Sequence, residues 1–144
     1  MGKVQIVLIE DNPADVFLVR LALKENGIDC DLTTFENGWA ATQVLCQQDG
    51  PPADPLVPDV ILLDLNTPGA DGFDVLVRLR EDPRLANVKI AILTSSQAET
   101  DEIRAHLLGA TRFIQKPSHL NDFLSTVGQA VVAMVTVPEP LAAS

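Results

Sequence analysis

Asp59-Val60-Ile61-Leu62-Leu63-Asp64-Leu65-Asn66-Thr67-Pro68-Gly69-Ala70-Asp71-Gly72 is the stretch that decides the fold. After Asp59 comes a short run, 60–63, that is apolar at every position rather than every second one. Such a run reads as a strand buried on both faces, over 59–63, and strands of that kind belong to parallel sheets covered by helices. Asp64 stands at the carboxyl end of this strand, and Pro68-Gly69 mark a turn before a helix over 71–80. Upstream, residues 49–58 hold four prolines, so neither a helix nor a central strand runs through them. Residues 4–9 form a second short apolar run, ending in Glu10-Asp11. Asn12 suits a helix cap and Pro13 the first helical position, which predicts a helix over 13–26 closed by Gly27. A strand over 28–34 follows, then a helix over 38–48 capped by Asn37, with Trp39, Ala40, Val44 and Leu45 available for packing. Downstream, the pattern gives a strand over 88–93, a helix over 98–108 closed by Gly109, and a strand over 112–115. A last helix covers 120–134, with Leu120, Phe123, Leu124, Val127, Val131 and Met134 on one face. Residues 138–144 are expected to fray.

Strands alternating with helices in this way predict a doubly wound α/β sandwich, with helices on both faces of a parallel sheet. The chain of 144 residues fits one domain, placed over 3–134 with a tail over 135–144. With 10 basic against 20 acidic residues, the formal charge is −10. That balance excludes a phosphate-backbone binder and disfavours an anionic membrane surface. No apolar run approaches the roughly 20 residues that span a bilayer, and no signal peptide precedes the first strand. Cys30 and Cys46 lack metal-ligand spacing and fit a reduced, cytoplasmic protein, though one bridge between them stays open.

Ligands of open parallel sheets bind beyond the carboxyl ends of the strands. Glu10 and Asp11 follow the first strand, Asp64 the third, Thr94 and Ser95 the fourth, and Lys116 the fifth. Singly each has a bland reading: an acid at a helix N-terminus, a turn aspartate, a strand-end hydroxyl, a solvated lysine. Together they put three carboxylates, a hydroxyl and an ammonium at one edge. Carboxylates held that close need a cation or protons between them, and oxygen donors suit Mg2+, which keeps positions open for phosphate and water. A carboxylate there can attack phosphorus to form an acyl phosphate, with the metal and Lys116 stabilising the phosphoryl charge. His106 and His119 lie away from this edge and read as surface residues.

Four segments resemble the receiver domains of response regulators, the CheY-like family: Leu8-Ile9-Glu10-Asp11-Asn12, 59–72, Ile92-Leu93-Thr94-Ser95-Ser96 and Gly109 to Pro117. The resemblance covers about residues 3–134. It implies the flavodoxin-like (βα)5 three-layer sandwich with strand order 2-1-3-4-5. It implies Asp64 as phosphoacceptor. Asp11, Asp64 and the backbone carbonyl of Asn66 would be Mg2+ ligands, with Glu10 acting through water and Mn2+ able to substitute. Thr94 would be the switch hydroxyl, Phe113 the switch aromatic and Lys116 the phosphoryl partner, with Lys116 and Pro117 joined by a cis peptide. Thr67 and Ser95 depart from the usual residues without removing a catalytic atom. Asn66 and Ser96 flank the site as tuners of hydrolysis.

A narrower resemblance is to the single-domain receivers associated with bacterial phytochromes. It is carried by Glu10-Asp11-Asn12-Pro13-Ala14-Asp15, by the proline-rich insert and by Thr94-Ser95-Ser96. It implies a sensor histidine kinase, such as a bacterial phytochrome, as donor, and a signalling protein that loses its phosphoryl group slowly rather than a turnover enzyme. No nucleic acid or membrane partner is expected. Output would pass through association, including a homodimer through the face of helix four, strand five and helix five. Phe17 and Leu21, on a first helix apolar nearly all round, are candidates for kinase docking. Two rivals remain. A haloacid-dehalogenase-type phosphatase shares the aspartyl phosphate, but Asn66 stands where its general acid should be. A binding-only pseudo-receiver would not need the intact set of Asp11, Asp64, Thr94 and Lys116.

Overall fold

The computed structural model describes residues 3–46 and 57–136. Its strands are β1 (Val4–Ile9), β2 (Cys30–Phe35), β3 (Val60–Asp64), β4 (Lys89–Thr94) and β5 (Arg112–Gln115). Its helices are α1 (Pro13–Glu25), α2 (Gly38–Leu45), α3 (Gly72–Glu81), α4 (Glu99–Leu107) and α5 (Leu120–Thr136). All neighbouring strands pair in parallel, in the order β2-β1-β3-β4-β5. The fold is the flavodoxin-like sandwich expected.

Alternate residues of the central strands feed two separate cores. Val7, Ile9, Ile61, Leu63, Ile90 and Ile92 pack toward α2, α3 and α4 through Ala41, Leu76, Leu79 and Ala105. Ile6, Leu8, Val60, Leu62, Ala91 and Leu93 pack the other way, against Val19, Ala22 and Leu23 of α1 and Phe123, Val127 and Val131 of α5. Every residue of β3 is buried, which is why its sequence shows no polar alternation. Each buried leucine or isoleucine contributes about 1.5–3 kcal/mol relative to exposure.

The caps follow the sequence. Asn12 accepts from the Ala14 N–H at 2.9 Å and Asn37 from the Ala40 N–H at 2.8 Å. Gly27 and Gly109 take the left-handed backbone that closes α1 and α4. Both cysteines are free, and Cys46 is buried. Several expectations shift. β3 and β4 run one residue further than predicted, so Asp64 and Thr94 are the last residues of strands and not the first of loops. Trp39 and Val44 are exposed rather than packed, because α2 buries Ala41, Thr42 and Leu45 along its single inward stripe. Leu120 is also exposed, being the first residue of α5, before the helix meets the sheet. A 3-10 turn at Pro83–Leu85 was not anticipated. α5 continues to Thr136, into the segment read as tail. The rest of that tail, and most of the proline-rich segment, lie outside the described residues. Among the described residues no helix is long and apolar enough to cross a membrane.

Candidate functional site

The parallel register carries the ends of β1, β3, β4 and β5 to one edge of the sheet. Ile9 pairs beside Leu63, Asp64 beside Leu93, and Thr94 beside Gln115. Two backbone bonds hold the edge: Glu10 N–H donates to the Phe35 carbonyl at 2.9 Å, and Lys116 N–H to the Thr94 carbonyl at 2.7 Å. The residues expected at the strand ends are thereby assembled. Glu10, Asp64 and Thr94 are buried, Lys116 is half-buried and Asp11 is exposed.

Lys116 is the hub. Its Nζ donates to Asp15 Oδ2 at 2.8 Å, to Glu10 Oε2 at 2.9 Å and to Asp64 Oδ2 at 3.1 Å. The other oxygens are held by backbone donors: Asn66 N–H reaches Asp64 Oδ1 at 2.9 Å, and Asn12 N–H reaches Glu10 Oε1 at 3.2 Å. Burial, and then its hydrogen bond with Asp64, push the Glu10 carboxyl up to about 7 despite the pull of Lys116. Burial pulls the Lys116 ammonium down, but its bonds to Asp15 and Glu10 and the charge of Asp64 outweigh that and leave it raised.

Glu10, Asp11 and Asp64 each offer a carboxylate oxygen, all within 4.8 Å of one another. That donor set fits a hard divalent cation such as Mg2+. Beside it, Asn66, Thr67, Thr94 and Ser96 line a crevice of about 400 Å³. Thr94 Oγ1 accepts from the Ser96 N–H at 3.0 Å, and Ser96 Oγ donates to Asp101 Oδ2 at 2.7 Å. Thr67 Oγ1 is the one buried side-chain polar atom among the described residues with no hydrogen-bond partner. An oxygen-rich group entering this crevice would meet the hydroxyls of Thr67 and Thr94.

Other expected residues fall as follows. Phe113 is half-buried against the core on the α2–α3–α4 side. Phe17 is exposed, whereas Leu21 is half-buried. The Lys116–Pro117 bond, expected cis, is trans, the isomer that an X–Pro amide itself prefers. Asp15 was not anticipated as a site residue. It stands in the quoted motif, in the first turn of α1, where an acid is already accounted for by the helix dipole.

Response regulator Rcp1 from Synechocystis sp. is 37% identical over 122 residues, covering 85% of this chain and 82% of that protein. The structure of the phosphorylated cyanobacterial phytochrome response regulator RcpA superposes with a TM-score of 0.86 at 30% identity, covering 96% of this chain and 98% of that one. The Mn2+-bound form of Rcp1 superposes with a TM-score of 0.81 at 35% identity, covering 94% of this chain and 98% of that one. Residues 6–128 match the model of the response regulator receiver domain, and the chain belongs to that family, the receivers of two-component phosphorelay signalling.

Proposed function

We propose that this chain accepts a phosphoryl group on Asp64 from the phosphohistidine of a sensor kinase. The observation that carries this reading is the grouping of Asp64 with Glu10 and Asp11 within 4.8 Å, under an ammonium 3.1 Å away. An Asp64 oxygen bonds to phosphorus as the P–N bond to the donor imidazole breaks, and the electron pair stays with the ring nitrogen. Asp11, Asp64 and the backbone carbonyl of Asn66 would hold Mg2+, or Mn2+ in its place, with Glu10 acting through water. Bound there, the cation offsets the charge on the phosphoryl oxygens. Lys116 neutralises a further oxygen, and Thr94 donates its hydroxyl proton to another.

Transfer brings roughly −1.5 to −2 of charge to a buried edge. Thr94 then turns toward the phosphoryl group and Phe113 moves inward behind it. This alters the face made by α4, β5 and α5, where Ile103 and Leu107 stand exposed. A partner or a second copy of the chain reads that face, and the acyl phosphate is lost slowly by hydrolysis. The likeness to Rcp1 and RcpA favours a phytochrome kinase as donor. The exposed Phe17, with Leu21 beside it, is the surface proposed to meet that kinase. The receiver unit is proposed over residues 3–134, with α5 running on to Thr136, and acts in the cytoplasm.

The deciding experiment is incubation with Mg2+ and acetyl phosphate, followed by intact mass. The mass should rise by one phosphoryl group, and the Asp64→Asn protein should stay unchanged. Equal labelling of both proteins would overturn the assignment. For the docking surface, joint replacement of Phe17 and Leu21 by serine should slow transfer from the kinase and leave labelling by acetyl phosphate intact.

A further inference from the structure

An ammonium has three N–H donors, and at Lys116 all three are engaged, by Asp15, Glu10 and Asp64. These partners are not equivalent. Glu10 and Asp64 belong to the group of carboxylates close enough to share a divalent cation, whereas Asp15 lies outside it. Asp15 also makes the shortest of the three bonds, 2.8 Å against 2.9 and 3.1 Å. It projects from the first turn of α1, whose start is fixed by the Asn12 cap. Its carboxylate is therefore delivered to Lys116 by a rigid element.

We propose that Asp15 is a positioning residue for Lys116, the one carboxylate partner that stays with the ammonium when a divalent cation engages Glu10 and Asp64. The proposal rests on the reading of the site given above. A cation drawn to the carboxylates of Glu10 and Asp64 competes with the ammonium for their charge. With Asp15 in place, Lys116 keeps a full counter-charge while it gives up those two bonds. It then remains beside Asp64, with donors released toward the oxygens of an arriving phosphoryl group. Without Asp15, the only carboxylates left to Lys116 are those the cation needs. The ammonium must then either hold them against the cation or lose its anchor.

The test is a double-mutant cycle in Mg2+ affinity, read by calorimetry on the full chain, with circular dichroism confirming the fold of each variant. Asp15→Asn should weaken Mg2+ binding about fivefold, the scale of one partly exposed ion pair. Asp15→Glu, which keeps the charge and can reach Lys116, should recover most of that loss. In a Lys116→Met background, Asp15→Asn should change the affinity less than about twofold, because the residue it acts through is gone. A loss of the same size with and without Lys116 would mean that Asp15 acts only as a diffuse charge, and would overturn the proposal. Unaltered affinity in Asp15→Asn would overturn it as well. If Asp15→Asn does not fold, the Asp15→Glu protein decides, since affinity no better than that of Asp15→Ala would remove the role. Failure of the underlying reading looks different. The unmodified protein would then show no saturable Mg2+ binding and no labelling at Asp64.

Discussion

A methyl group at residue 72 would lie 2.5 Å from the Cα of Leu65 and 2.8 Å from its carbonyl oxygen. Both are backbone atoms of the segment that follows Asp64, and neither can swing away as a side-chain tip would. Gly72→Ala should therefore cost about 1–3 kcal/mol in urea unfolding. It should also slow labelling by acetyl phosphate, because relief comes only by moving the segment that carries the Asn66 N–H onto Asp64. Asp82 provides a second test. Its Oδ1 accepts from the Arg84 N–H at 2.9 Å, and its Oδ2 meets the Arg84 guanidinium at 2.8 Å. The side-chain bond from Arg84 holds its carboxyl below the ordinary 3.8. A depressed folded value contributes stability above the unfolded value and loses it as pH falls through the folded one. The advantage of the unmodified protein over Asp82→Asn should thus shrink on acidification from neutrality through the aspartate range. Among the assembled residues, Asp64, Asp11 and Thr94 were legible because each stands at the end of an apolar run, and Lys116 because it follows the short strand Arg112–Gln115. Asp15 was not, since an acid in the first turn of a helix already has a sufficient explanation in the helix dipole. Only the reach of Lys116 across the sheet edge reveals its second role.

At the scale of elements, Arg80 ties three pieces together. From α3 its Nε donates to the Gly109 carbonyl, just past α4, and its Nη1 to the Leu85 carbonyl in the 3-10 turn, both at 2.9 Å. Arg80→Leu keeps the apolar stem but strands the Gly109 carbonyl and leaves the Leu85 carbonyl only its bond from the Val88 N–H at 3.2 Å. It should lower stability by about 1–3 kcal/mol, seen as a lower urea midpoint at unchanged slope. The strands and caps were readable because a doubly buried strand and an Asn-Pro helix start have strong local signatures. Trp39 misled for the opposite reason. Hydrophobicity says that a side chain would gain from burial, while the inward stripe of α2 is filled by Ala41, Thr42 and Leu45. Leu120 repeats the lesson at the first turn of α5. The 3-10 turn at Pro83–Leu85 is fixed by tertiary bonds from Arg80 as much as by its proline, and such bonds leave no local trace.

At the scale of the molecule, a ligand that binds only the folded site stabilises the whole domain. On the proposed reading, Mg2+ at 100 times its dissociation constant should raise the unfolding free energy by about 2.7 kcal/mol over the protein in chelator. Asp64→Asn should lose most of that gain, which urea unfolding with and without the metal will measure. The strand order was legible only through family resemblance, because pairing partners separated by long crossovers cannot be read from local pattern. The bond from Lys116 to Glu10 joins residues 106 positions apart, and that to Asp64 spans 52. A ribosome therefore builds every acid of the cluster long before it supplies their counter-ion. A polypeptide halted ahead of Lys116 would lack the ammonium that pairs with Glu10, Asp15 and Asp64. The site thus acquires its full set of charges only once translation has passed β5, the last strand in the chain.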